Sequence, residues 1–163
     1  MWKLPQGDNM NVFSGHTDIV TCGRFSPDGK SIISASTDGS LIGWLPTDPN
    51  PQTKVTANDT RFNLDGGIIA IAVNPAGTLA VAGGAAGGVR VVNLSNGQVI
   101  GSFEAHKEGE SVECVSFLPE GSIGQGPAGV VVTGGTDGVL NVIDLTTMRI
   151  RNTINLEVCQ FIY

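Results

Sequence analysis

The sequence predicts an all-β fold of three consecutive units, each made of four short antiparallel strands. Three observations carry this prediction. Residues 20–29, 68–77 and 112–121 are alike: each is an apolar or alternating run closed by Pro-x-Gly, where Pro fixes φ and Gly supplies φ > 0. Downstream landmarks recur at a steady interval, with Trp44, Val92 and Ile143 spaced 48 and 51 residues apart. No window shows a sustained 3.6-residue apolar period, which removes helices from consideration.

Each unit then reads in the same order. The first strand is the apolar run ending at the Pro-x-Gly turn. A second run follows at 31–36, 79–84 and 130–135, and then a tight turn at Asp38-Gly39, Ala86-Gly87 and Asp137-Gly138. A third run ends in the triplets 44–46, 92–94 and 143–145, and a weaker fourth strand is expected at 60–62, 99–103 and 149–154. Residues 46–59 hold three prolines and read as a connecting loop, because Pro cannot donate to a central ladder. Residues 122–129 are Gly-rich but lack Lys-Ser/Thr and precede no helix, so they are not a phosphate loop. Four strands per unit at this interval is the pattern of propeller blades.

Composition narrows the function. The net charge is −6 and the pI about 4.7, a balance that argues against nucleic acid as the main partner, since phosphate binding needs a basic footprint. Hydrophobic residues make up 40%, ample for a core. The longest apolar runs, such as 68–73, are far too short to span a bilayer as a helix, and the start reads as no signal peptide. These features lead us to expect no membrane partner and a location in the cytoplasm, extending to the nucleus. Three cysteines (Cys22, Cys114, Cys159), without a CxxC, read as buried reduced thiols. Cys22 and Cys114 share one repeat position. The two histidines lie in different units with no Cys-His cluster, so no metal site is expected.

Gly15-His16, followed 28 residues later by Trp44, resembles the WD40 repeat family, whose units run from a Gly-His pair to a Trp-Asp pair. The resemblance implies a structural network of a His, a Ser or Thr, a turn Asp and the Trp that pins the strands. Here those positions are His16, Ser34, Asp38 and Trp44, with Leu45 in place of the final Asp. The third unit keeps His106, Thr133 and Asp137, with Ile143 for the Trp. The second unit has Leu64, Ala82, Ala86 and Val92, and keeps none. His16, Ser34 and Asp38 imitate a hydrolase triad in composition, but their spacing fits a network inside one blade, so no catalytic residue and no cofactor is expected.

The fold class is therefore an all-β WD40-type segment of three to four blades within a larger propeller. Residues 1–163 form one segment, with repeats at about 11–45, 60–94 and 101–145 and partial repeats at 1–5 and 149–163. The partial repeats look like the tail of a preceding third strand and the start of a further unit. Residues 2–8, 110–117 and 148–157 further resemble the angio-associated migratory cell protein group, whose fungal members are chaperones for a basic protein of the large ribosomal subunit.

The acids give that resemblance a physical counterpart. Glu104, Glu108, Glu110 and Glu113 read as part of the connection between the second and third units. Asp18, Asp65 and Glu157 fall in the equivalent connections, which a propeller gathers on one face. Asp18, Asp65, Glu108, Glu110, Glu113 and Glu157 are thus the candidate partner-binding residues, suited to a Lys/Arg-rich segment of a ribosomal protein. The leading expectation is a non-catalytic chaperone or assembly factor in ribosome biogenesis. The alternative is a scaffold subunit in a signalling, trafficking or ubiquitin-ligase assembly. An enzyme ranks third, because no nucleophile has a base outside the network.

Overall fold

A computed structural model describes residues 1–3, 8–9, 11–55, 64–119, 121 and 126–156. Three four-stranded antiparallel sheets follow one another along the chain. The first is β3 (Val20–Phe25), β4 (Ile32–Ser36), β5 (Leu41–Leu45) and β6 (Asp48–Val55). The second is β7 (Ile68–Val73), β8 (Leu79–Gly84), β9 (Gly88–Asn93) and β10 (Val99–Glu104). The third is β11 (Val112–Phe117), β12 (Val130–Gly135), β13 (Val139–Asp144) and β14 (Arg149–Asn155). Before them β1 (Trp2–Lys3) pairs antiparallel with β2 (Asp8–Asn9). Among the described residues there is no helix. Within each sheet sequential strands are neighbours.

The turns follow from their glycines. Gly29, Gly77 and Gly121 in the Pro-x-Gly turns, and Gly39, Gly87 and Gly138 in the second turns, all have positive φ, between 69° and 90°. Each first strand carries a register shift near its start, between Val20/Cys22, Ile68/Ala70 and Val112/Cys114. A bulge of this kind bends the strand and adds twist, and its recurrence marks the three sheets as copies of one unit.

Strand alternation gives each sheet two apolar faces. In the first sheet Ile33, Ala35 and Leu41 pack against Ile68, Ile71 and Ala82 of the second. The second sheet's other face, with Val81, Val89 and Val91, packs against Val112, Val131 and Ile143 of the third. Both faces of the middle sheet are therefore covered, and its strands read as nearly unbroken apolar runs. The outward face of the third sheet has no such cover among the described residues. Ile154 and Leu156 are exposed, and so is Cys114.

Three expectations need correction. The fourth strand of the first sheet is Asp48–Val55, inside the stretch read as a loop; residues 60–62 lie outside the described residues. Its prolines are tolerated because β6 is an edge strand: Pro49 falls in the register shift at Trp44/Leu45, and Pro51 pairs with Trp44. Cys114 is not buried. Its counterpart Cys22 packs against the core between the first two sheets, whereas Cys114 is exposed. Glu113 does not lie in the connection between sheets. It occupies the bulge at the start of β11, where the equivalent residues are Thr21 and Ile69, and Glu104 is the last residue of β10. Cys159 and the unit expected beyond residue 156 are outside the described residues.

Candidate functional site

Antiparallel alternation puts two kinds of segment at the same end of every sheet: the connection entering the first strand and the turn between the second and third. Backbone hydrogen bonds join them. Thr37 N donates to Ile19 O, Ala85 N to Gly67 O and Thr136 N to Ser111 O, each at 3.0 Å. The next sheet is tied in as well, since His106 N of the third unit donates to Gly87 O in the turn of the second at 3.1 Å. Gly67 approaches Thr37 so closely that a Cβ there would stand 2.5 Å from Thr37 Cα. The result is one continuous rim.

Side chains lock this rim in the first and third sheets. His16 Nε2 lies 2.7 Å from Ser34 Oγ, and Trp44 Nε1 donates to the same Ser34 Oγ at 2.8 Å. His16 Nδ1 lies 2.8 Å from Ser40 Oγ and 3.3 Å from Asp38 Oδ2. Asp38 also accepts from Thr17 N at 2.8 Å, Ser40 N at 2.8 Å and Ser40 Oγ at 2.6 Å. Ser40 is a member of the network that the sequence reading missed, although a Ser beside the turn Asp-Gly was a visible signal. In the third sheet His106 Nε2 lies 2.9 Å from Thr133 Oγ1 and its Nδ1 3.0 Å from Asp137 Oδ1. Asp137 accepts from Lys107 N and Val139 N.

Burial opposes the charge on Asp38, yet hydrogen bonds from Ser40 and Thr17 and the nearby His16 outweigh it and hold the carboxyl well below the usual range. Asp137 is lowered in the same way, with burial opposed by Lys107 N, His106 and Val139 N. Asp144, buried at the end of β13, is held down to about 2: burial raises it, while Thr146 N, Arg151 and Thr147 more than compensate. The two histidines sit in separate sheets with both ring nitrogens engaged, an arrangement that fixes backbone corners. Among the described residues no group of three or more His, Cys, Asp or Glu could hold a metal ion.

The acids named from the sequence are placed as follows. Asp18, Asp65 and Glu108 are exposed in the entering connections of the three sheets. Glu110, in the third of these, accepts from Thr136 Oγ1 at 2.7 Å, and Glu113 accepts from Ser111 Oγ. Glu157 lies outside the described residues. Asp18, Asp65, Glu108 and Glu110 therefore share the rim, with Glu113 just inside it on β11. The sequence reading also missed Arg90. This lone charge in the apolar strand β9 pairs with Glu104 Oε1 at 3.0 Å through Nη2.

Three twisted four-stranded sheets joined at such a rim, two of them locked by a His–Asp corner, are blades of a β-propeller. The chain belongs to the WD domain, G-beta repeat family, which matches residues 7–44 and 97–144. It is 28% identical to an uncharacterised WD repeat-containing protein of Schizosaccharomyces pombe over 95% of this chain and 38% of that one. It is 29% identical to the angio-associated migratory cell protein of Homo sapiens over 93% of this chain and 36% of that one. The chain thus spans little more than a third of these relatives' length. Among solved structures it is similar to Sqt1 of Chaetomium thermophilum bound to the N-terminus of the ribosomal protein L10. The TM-score is 0.77 with 26% identity, covering 90% of this chain and 38% of that one.

Proposed function

We propose that this chain is part of a non-catalytic propeller that captures a Lys/Arg-rich segment of a large-subunit ribosomal protein and shields it until assembly. The observation that carries the reading is the succession of carboxylates, Asp18, Asp65, Glu108 and Glu110, along one rim. Several carboxylates on one surface raise the local negative potential beyond what one exposed pair gives, and so steer a cationic partner. Covering such a segment also keeps it from binding RNA indiscriminately. Similarity to Sqt1, solved with the N-terminus of a ribosomal protein, supports the same class of partner. On this reading the partner is a protein, neither nucleic acid nor membrane, met in the cytoplasm and nucleus.

The test is the association rate of a Lys/Arg-rich peptide against ionic strength, for the parent and for Glu110→Lys with Glu113→Lys. The double variant should associate more slowly and show a flatter salt dependence. Equal rates and slopes would leave these carboxylates as a solubility surface only. Affinity purification gives a second check. A dominant basic ribosomal client agrees with the reading, and a multi-subunit complex without ribosomal proteins points to a scaffold instead.

A further inference from the structure

The second blade departs from its neighbours at the rim. Where the flanking blades set His16 with Asp38 and His106 with Asp137, it has Leu64 and Ala86. Its third strand opens on Gly88, at the register position of Ser40 in the first blade and Val139 in the third. Two side chains are thereby cut back, at Ala86 and Gly88, and a cavity of about 520 Å³ stands in that corner.

The cavity is built. Leu64, only 4% exposed, supplies an apolar wall. At Gly88 a Cβ would lie 2.8 Å from Leu64 Cδ2, 3.2 Å from Arg90 Nη1 and 3.4 Å from Glu104 Oε2, so any larger residue would displace this wall. Arg90 takes the position held by Ile42 and Asn141 in the other blades, and its side chain is 11% exposed. Its Nη1 donates to the carbonyls of Val89 and Phe103, which fixes the guanidinium that anchors Glu104 through one oxygen. Asp65 and Glu108 complete the polar lining, and His106 beside them is already engaged with Asp137 and Thr133. Among the lining side chains, carboxylates outnumber the guanidinium three to one around an apolar wall. An anion or a wholly apolar group is mismatched to that lining. A cation on an aliphatic stem suits it, with the stem on Leu64 and the charge among the carboxylates.

We propose that this cavity seats a single basic side chain, lysine or arginine, of the captured segment, through Leu64, Asp65, Glu104 and Glu108. The proposal rests on the client reading above and adds a defined subsite to it. The probes are the peptides acetyl-Gly-Gly-Arg-Gly-Gly-amide, its lysine and norleucine counterparts, and an octa-arginine peptide. Binding to the 163-residue chain is followed by the Leu64 methyl resonances. The arginine or lysine peptide should shift those methyls saturably, and norleucine should not. Ala86→Phe plugs the mouth without changing charge, and Glu104→Gln removes one charge isosterically. Each should weaken the single-cation peptide about tenfold or more, the loss of a charge-assisted contact. Should Ala86→Phe disturb the fold, Glu104→Gln, at an exposed side chain, decides alone. If octa-arginine binds the parent yet neither variant moves its affinity or the Leu64 shifts, the subsite is overturned while the rim reading stands. If octa-arginine does not bind at all, both fall. Equal shifts with norleucine also overturn the subsite.

Discussion

Replacing Asp38 by alanine removes the acceptor at the centre of the first blade's corner. Five donors lose it: Thr17 N, Ser40 N, Ser40 Oγ and, at the longer 3.3 and 3.4 Å, His16 Nδ1 and Thr17 Oγ1. Thr17 is exposed, so its N–H turns to water at little cost, and the Ser40 hydroxyl still reaches His16. The Ser40 N–H and hydroxyl lose their acceptor, in a residue 2% exposed, while His16 Nδ1 keeps Ser40 Oγ at 2.8 Å. A buried donor that loses a charged acceptor costs about 1–2 kcal/mol, so Asp38→Ala should lose about 2–4 kcal/mol. With a urea slope of roughly 2 kcal/mol/M, the midpoint falls by about 1–2 M. Lys30→Ala is the control. Its pairing with Asp28 spans 3.8 Å between exposed groups, and the change should stay within about 0.5 kcal/mol. Because the folded state depresses the Asp38 pKa, this stabilisation is present above the unfolded value near 4 and is lost as the pH falls further. The gap between parent and variant should therefore narrow in acid. Urea titrations read by tryptophan fluorescence at several pH values measure both effects. Equal midpoints for the two variants at pH 7, or a gap that widens on acidification, would refute the reasoning.

Gly67 and Gly109 both have positive φ, at 87° and 84°, but only Gly67 is crowded, by the Thr37 backbone. Gly109→Ala should cost about 1 kcal/mol of backbone strain, whereas Gly67→Ala should cost more than about 3, read as denaturation midpoints. Asp144→Asn should remove the part of the acid sensitivity that a carboxyl with a pKa of about 2 confers, so that the variant loses less stability than the parent as the pH falls from about 4 towards 2. Arg151, 40% exposed, contributes less: Arg151→Ala should cost under about 1 kcal/mol by the same measurement. The face of the third blade left bare by the described residues should make the chain self-associate, and Ile154→Lys with Leu156→Lys should shift light scattering towards the monomer.

The blade pattern was legible because its signals are local: period-two runs and glycines at positions where φ must be positive. Residues such as Leu79–Gly84 and Val130–Gly135 could be bounded to the residue for that reason. Asp48–Val55 was not, since proline argues against a ladder and only the register shows that this strand lies at an edge with shifted pairing. Glu113 was misplaced by the same limit, because a bulge leaves no mark on composition. The cavity of the second blade was the least legible. It arises from what Ala86 and Gly88 lack, and its charge from Arg90 and Glu104, which meet only across the β9–β10 pairing. Arg90 alone among Val89, Val91 and Val92 was the one hint.

The backbone bonds that tie each entering connection to a turn, and the third unit's entry to the second unit's turn, bear on the kinetics of the proposed capture. Loops of this length usually lose freedom when a partner orders them, at about 0.5–1.5 kcal/mol for each immobilised side chain. Here much of that ordering is complete before any partner arrives, and Thr136 and Ser111 already hold Glu110 and Glu113. The rim is a prepaid surface: on the proposed reading, an arriving cation would meet carboxylates on a fixed backbone, and its residence time would depend on contacts more than on loop closure.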